Sequence, residues 1–124
     1  MSQDLAENLM QIARTIPLLA DFVVFDAESG ATAGHWSKSG TEGRDVGPDL
    51  GLLKAAELAI EETPLGSATV TVSGKHGSLV IARVTPQYAV ALRFDEILSF
   101  DWTNYYVQRA LRRTLEILSA APRF

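Results

Sequence analysis

Apolar residues recur at helical spacing near both ends of the chain. The spacing of a first set places its members on one face of a helix, and Pro17 ends that helix because proline cannot continue it. This stripe consists of Leu5, Leu9, Ile12 and Ile16. A second set predicts a last helix, for which Asp95 or Asp101 is suited to cap the first turn. Its stripe consists of Val107, Leu111, Leu115 and Leu118.

Five short segments between these helices have strand character. Residues 22–25 and 31–36 flank a turn-forming stretch and predict a hairpin. Residues 68–73 alternate Ala or Val with Thr or Ser, which gives a strand with one apolar face and one hydroxyl face. Residues 78–84 and 88–94 follow after short turns and extend this strand into an antiparallel meander.

Residues 50–62 predict a further helix, and most of its surface is apolar. Its polar residues Lys54, Glu57 and Glu61 fall into one narrow stripe at about 100° per residue. The apolar residues cover about 220° of the circumference, well beyond the stripe of ~100° that a helix buries on one side. One sheet cannot cover such a surface. Either other helices of the same chain or a second copy must therefore pack against it.

The resulting order is helix, two strands, helix, three strands, helix. It predicts an α+β fold in which a five-stranded antiparallel sheet carries helices on both faces. A chain of 124 residues, 47 % hydrophobic and 21 % charged, has enough apolar content for one core, so residues 1–124 are expected to form a single domain.

Composition excludes several classes of function. The chain has no cysteine, which rules out disulfides, thiolate zinc sites and a cysteine nucleophile. Its net charge of −4 disfavours nucleic acid as a partner, since non-specific binding depends on attraction to phosphates. The beginning of the sequence is acidic, unlike a secretory signal, and no apolar run is long enough for membrane insertion. We therefore expect a cytoplasmic protein.

The element order and several short runs together resemble the roadblock/LC7 family, whose fold is profilin-like. The runs are FVVFD at residues 22–26, LKAA at 53–56, GSLVIARV at 77–84 and YAVAL at 88–92. The resemblance extends over nearly the whole chain, and the long last helix is more similar to the bacterial members than to the dynein light chains.

The resemblance implies a homodimer in which the second helices pack together and the third strands pair. It also implies a partner, because family members serve as platforms for Ras-like small GTPases, which they hold or stimulate. The apolar surface of the second helix independently favours such a partner. The predicted dimer interface consists of Leu52, Leu53, Ala55, Ala56, Ala59, Ile60, Val70 and Val72.

The last helix offers a second candidate surface for a protein partner. Aromatic residues are enriched at binding hot spots, and a basic arc can dock on an acidic surface. The residues concerned are Trp102, Tyr105, Arg109, Arg112 and Arg113. The alternative interpretation is that the aromatic residues cover one end of the core and that the arginines form a solvated helix face.

No catalytic, cofactor or metal motif is evident, so the sequence predicts a protein that is not an enzyme. The stretch 73–76 contains a lysine but does not match a phosphate-binding loop. It lacks the leading glycine of that motif and the Ser or Thr that directly follows the lysine. The two histidines do not have metal-ligand spacing. An enzyme with a dispersed site is the weakest alternative, and Asp26, His35 and Asp45 are its only candidate residues.

The main alternative to an adaptor is a small-molecule sensor of the PAS, GAF or profilin-like type. Such a domain encloses a pocket between its sheet and its helices. A cavity with polar groups directed inward would distinguish this function from that of an adaptor.

Overall fold

The computed structural model describes residues 2–40, 45–61, 69–97 and 99–120. Its elements are α1 (Ser2–Arg14), β1 (Leu19–Asp26), β2 (Thr32–Ser37), α2 (Gly47–Glu61), β3 (Thr69–Gly74), β4 (Gly77–Arg83), β5 (Tyr88–Phe94) and α3 (Phe100–Ala120). The predicted order of three helices and five strands is therefore confirmed.

The five strands form one antiparallel sheet in the order β2-β1-β5-β4-β3. The hairpin of β1 with β2 and the meander of β3, β4 and β5 follow the prediction from sequence. The pairing of β1 with β5 joins these two units and brings Phe22 opposite Leu92. As a result β2 and β3 lie at opposite edges, and α2 must cross one face of the sheet to connect them.

Two hydrophobic cores lie on the two faces of this sheet. Successive strand residues point to opposite faces, so the apolar run of β1 supplies both cores. On one side Phe22 and Val24 pack with α1 and α3. On the other side Val23 and Phe25 pack with Leu53 of α2. The predicted arrangement, with helices on both faces, is confirmed.

The starts of α2 and α3 differ from the prediction because of their caps. Helix α2 begins at Gly47 rather than at residue 50, since Asp45 Oδ1 accepts a hydrogen bond from the Gly47 N–H at 2.9 Å. Helix α3 begins at Phe100, and its cap is Ser99 rather than Asp95 or Asp101. The Ser99 Oγ accepts from the Trp102 N–H at 3.4 Å. The expected breaks at Pro64 and Gly66 lie outside the described residues.

The first hairpin closes around Asp26. Its Oδ1 accepts hydrogen bonds from the backbone N–H groups of Glu28 and Ser29 at 2.8 and 3.0 Å. These bonds, first that of Ser29, lower the pKa of the Asp26 carboxyl because they stabilise its charged form. Gly30 then adopts φ +79°, a left-handed conformation that favours glycine, and its N–H donates to the Asp26 carbonyl at 2.9 Å.

We predict that Gly77→Ala destabilises the fold. A Cβ at Gly77 would collide with the backbone carbonyl of Phe94 in the neighbouring strand β5, and backbone cannot move aside cheaply. Overpacking of this kind costs about 1–3 kcal/mol. The loss is measurable as a lower urea midpoint.

Gly74→Ala in the same hairpin is the matched control, because the nearest atom to its added Cβ would be 3.9 Å away. Equal midpoints for the two variants would contradict the steric explanation.

Candidate functional site

Helix α2 leaves much of its apolar surface exposed. Leu58 is 64 % exposed and Leu52 is 41 % exposed. Ala55 and Ala59 are exposed as well, whereas Ala56 and Ile60 are half-buried. Exposed large apolar side chains that lie together on one element are typical of surfaces that bind a protein. The described part of the protomer therefore does not cover this helix by itself.

Leu53 differs from the other residues of the predicted dimer interface. Its side chain is fully buried, with 0 % exposed, among core residues such as Phe25 and Ile81. A residue that is completely covered within the protomer offers no surface to a second copy. Leu53 therefore anchors α2 to the sheet, and we remove it from the interface predicted from sequence.

A salt bridge between α2 and β4 provides the second anchor. The Arg83 Nε donates to Glu57 Oε2 at 2.7 Å, and Arg83 Nη2 donates to Glu57 Oε1 at 2.9 Å. The guanidinium also donates to the Pro86 carbonyl at 2.7 Å. Hydrogen bonds from Arg83 hold the pKa of the Glu57 carboxyl below its ordinary value of 4.5. This bidentate geometry fixes the orientation of the helix.

Strand β3 lies next to α2 and is an edge strand of the sheet that the described residues form. It pairs with β4 on one side, and it is the last strand of the sheet. Five of its six residues are exposed, and Val72 is 41 % exposed. Val70 is half-buried and packs against the core beneath α2. The residues predicted from α2 and from β3 therefore lie on adjoining parts of one surface, which we call the α2/β3 surface.

The second predicted surface lies on the opposite face of the sheet. Trp102 is half-buried and packs against Phe94 and Tyr106, with ring centroids 6.0 and 4.5 Å apart. Tyr105 remains 61 % exposed. The three arginines Arg109, Arg112 and Arg113 are exposed on the same helix, and Arg113 lies 3.6 Å from Glu116. The structure thus separates the α3 residues from the α2/β3 surface.

Each residue considered for an enzyme takes part in a local contact. Asp26 caps the first hairpin and Asp45 caps α2. His35 instead lies 3.4 Å from the buried carboxylate of Asp21, whose other oxygen lies 3.8 Å from Arg93. In the described ranges no three His, Asp or Glu residues are placed to hold a metal ion.

No described helix has both the length and the apolar content needed to cross a bilayer.

Sequence reasoning missed the pair of Glu57 and Arg83. The two residues are 26 positions apart, so no local pattern joins them. The only local signal for this pair was that Glu57 lies on the narrow polar stripe of α2, because the side chains of such a stripe contact polar groups or water.

Solved structures share this fold, although sequence comparisons detect no relative. No protein-family model matches the chain, and no curated protein matches it. MglB from Myxococcus xanthus superposes with a TM-score of 0.76 at 12 % identity, covering 99 % of this chain and 93 % of that one.

Two further structures agree with this result. The gliding protein MglB from Thermus thermophilus gives a TM-score of 0.75 at 16 % identity, covering 94 % of this chain and 93 % of that one. A roadblock/LC7 domain from Streptomyces avermitilis gives 0.69 at 12 % identity, with coverages of 93 % and 98 %. The chain therefore has a roadblock/LC7-like fold.

We predict that the attachment of α2 weakens in acid through Glu57. Because the folded-state pKa lies below the ordinary 4.5, the stabilisation is present above that value and is lost as the pH falls through the folded pKa. Glu57→Gln should lower the free energy of unfolding by about 1 kcal/mol at neutral pH. The difference from the wild type should vanish in acid, as measured by urea unfolding at several pH values.

Glu61→Gln removes the same charge from the same exposed helix and serves as the control. A difference between the wild type and Glu57→Gln that stays constant with pH would contradict the role of the ion pair.

Proposed function

We propose that this chain, with its roadblock/LC7 fold, forms a homodimer through the α2/β3 surface and acts as a non-enzymatic adaptor or regulator of a Ras-like small GTPase. The observation that carries the dimer is the exposed apolar face of α2, on which Leu58 is 64 % exposed. Two contacts within the protomer hold α2 on the sheet and so fix the position of this surface: the buried side chain of Leu53 and the ion pair of Glu57 with Arg83.

Burial of this face would supply much of the free energy of association. Fully burying a leucine is worth about 1.5–3 kcal/mol, so covering the exposed fraction of Leu58 is worth about 1–2 kcal/mol. Ala55 and Ala59 have small side chains, which lets the backbones of two helices approach closely. A second copy of α2 fits this surface because it presents the same small and apolar residues.

The open edge of β3 is compatible with the same two-fold symmetry. An exposed edge strand has unpaired backbone N–H and C=O groups that can pair with another strand. Pairing of β3 with its own copy would be antiparallel around a two-fold axis and would join the two sheets. Thr69 and Val72 carry no charge that would oppose such pairing.

The proposed GTPase partner follows from the fold and from what the family resemblance implies. The chain has no phosphate-binding loop of its own, so any GTP that it influences would be bound to the partner. Dimerisation through the α2/β3 surface would leave Tyr105 and Arg112 of α3 accessible on the other face of the sheet. We assign these two residues, together with Trp102, Arg109 and Arg113, to the second surface available to a partner.

One observation favours the alternative of a small-molecule sensor. A hollow of about 360 Å³ lies between β3, β4 and α3, within the size range of ligand sites. It lies on the α3 side of the sheet, so a ligand there would not compete with a dimer formed through α2.

We predict that Ala59→Glu converts the dimer to a monomer at micromolar concentration. A carboxylate at this exposed helix position would lose its hydration against an apolar copy of α2 without gaining a partner charge. Size-exclusion chromatography with light scattering measures the change in mass.

Arg112→Glu introduces the same side chain on α3 and should leave the dimer intact. A folded wild-type protein that is already monomeric would overturn the dimer, and an unchanged mass for Ala59→Glu would place its interface elsewhere.

We predict that a small GTPase co-purifies with the tagged chain from its native host. Hydrolysis of GTP by the recovered GTPase, measured with and without this chain, separates stimulation from tethering. Arg112→Glu and Arg109→Glu should reduce capture of the GTPase if α3 forms the contact. Recovery without any small GTPase would count against this part of the proposal while leaving the dimer unaffected.

A further inference from the structure

Most of the residues that line the hollow beside α3 have polar side chains, and no described residue among them has an ionisable one. Its floor is formed by β3 and β4, and one wall is formed by the first turns of α3. We call it the α3 groove. The strand residues Thr71 and Ser73 contribute hydroxyls, and the helix residues Asn104 and Gln108 contribute carboxamides. Its apolar surface comes from valines of β4 and α3, namely Val80 and Val107.

The sheet register explains why these hydroxyls share one side. Thr71 pairs with Val80, and Ser73 pairs with Ser78. Directly opposed residues on antiparallel strands point to the same face. Val80 belongs to the core beneath α1 and α3. The hydroxyl face of β3 therefore points to the side of the sheet on which α3 lies.

Ser78 is the most informative residue of the groove. It is buried, with only 5 % of its surface exposed, and its Oγ has no hydrogen-bond partner among the described residues. A buried hydroxyl without a partner costs about 1–3 kcal/mol. Because Ser78 lies two residues before Val80 on β4, its side chain is on the groove side of the sheet. An incoming hydroxyl could supply the missing hydrogen bond.

We propose that the α3 groove binds a small uncharged polyhydroxylated molecule, of the size and chemistry of a monosaccharide or a cyclic polyol. Hydroxyl and carboxamide groups offer both donors and acceptors, which is what a set of ligand hydroxyls needs. The valines match the C–H face of such a ring.

The uncharged character of the described lining selects against ionic ligands. A phosphate or carboxylate would give up hydration without meeting a cation among these residues. A volume of about 360 Å³ accommodates one ring. All described residues that line the α3 groove belong to one protomer, so ligand binding to the groove and formation of the proposed dimer can be tested separately.

The test is a titration of the ¹⁵N-labelled full chain followed by amide chemical shifts. The probes are D-glucose, D-galactose and myo-inositol, with D-gluconate and D-glucosamine as charged probes of the same size. We expect at least one neutral probe to give saturable shifts around Ser78, Thr71 and Asn104. We expect the charged probes to bind at least tenfold more weakly.

Ser78→Ala and Thr71→Val remove single hydroxyls from the groove. Each should weaken binding by about three- to tenfold, the worth of one hydrogen bond. Ser119→Ala removes an exposed hydroxyl near the other end of α3 and should bind as the wild type does. Without a probe, Ser78→Ala should unfold at the same temperature as the wild type or at a higher one, because it removes a buried hydroxyl that no described residue satisfies.

Three results would overturn the proposal. The first is the lack of saturable binding by any neutral probe with a dissociation constant tighter than about 10 mM. The second is equal binding of the neutral and charged probes. The third is a lower unfolding temperature of Ser78→Ala in the absence of a probe, which would make the serine a structural group. None of these results would bear on the dimer, which is measured through Ala59→Glu.

Discussion

The structure depends on how a helix that is apolar on most sides is held on a single sheet surface. Leu53 inserts fully into the core, and Glu57 forms a bidentate ion pair with Arg83. These two contacts on one side of the helix orient its other sides outward. The exposure of Leu52 and Leu58 follows from that geometry, because a sheet can cover one side of a helix only.

The two faces of the sheet are consequently different in kind. The face beneath α1 and α3 has a core that includes residues of β1, β5 and β4, whereas no residue of β3 belongs to it. This offset leaves the α3 groove on one side and the open edge of β3 at its border. Of the described helices, α2 is the one that packs on the opposite face. A protein contact through α2 and a ligand in the groove would therefore use separate surfaces of one small domain.

Local hydrogen bonds and ion pairs account for the positions of the candidate enzyme residues. Asp26 and Asp45 each accept hydrogen bonds from backbone N–H groups close in sequence. Such bonds close a hairpin and start a helix. His35 lies near Asp21 on the adjoining strand. Each of these residues is thus involved in a local contact.

The sequence by itself determined the elements and the surplus of apolar surface on α2, because periodicity and turn residues act over a few neighbouring positions. The cap of α3 was predicted wrongly from the sequence, because Ser99 and Asp101 are both suited to that role by residue type. Only the tertiary structure decided that β1 pairs with β5, that Glu57 meets Arg83, and that Leu53 points inward while Leu58 points outward. These outcomes depend on contacts between residues far apart in the chain, and local pattern does not specify which distant partner is chosen.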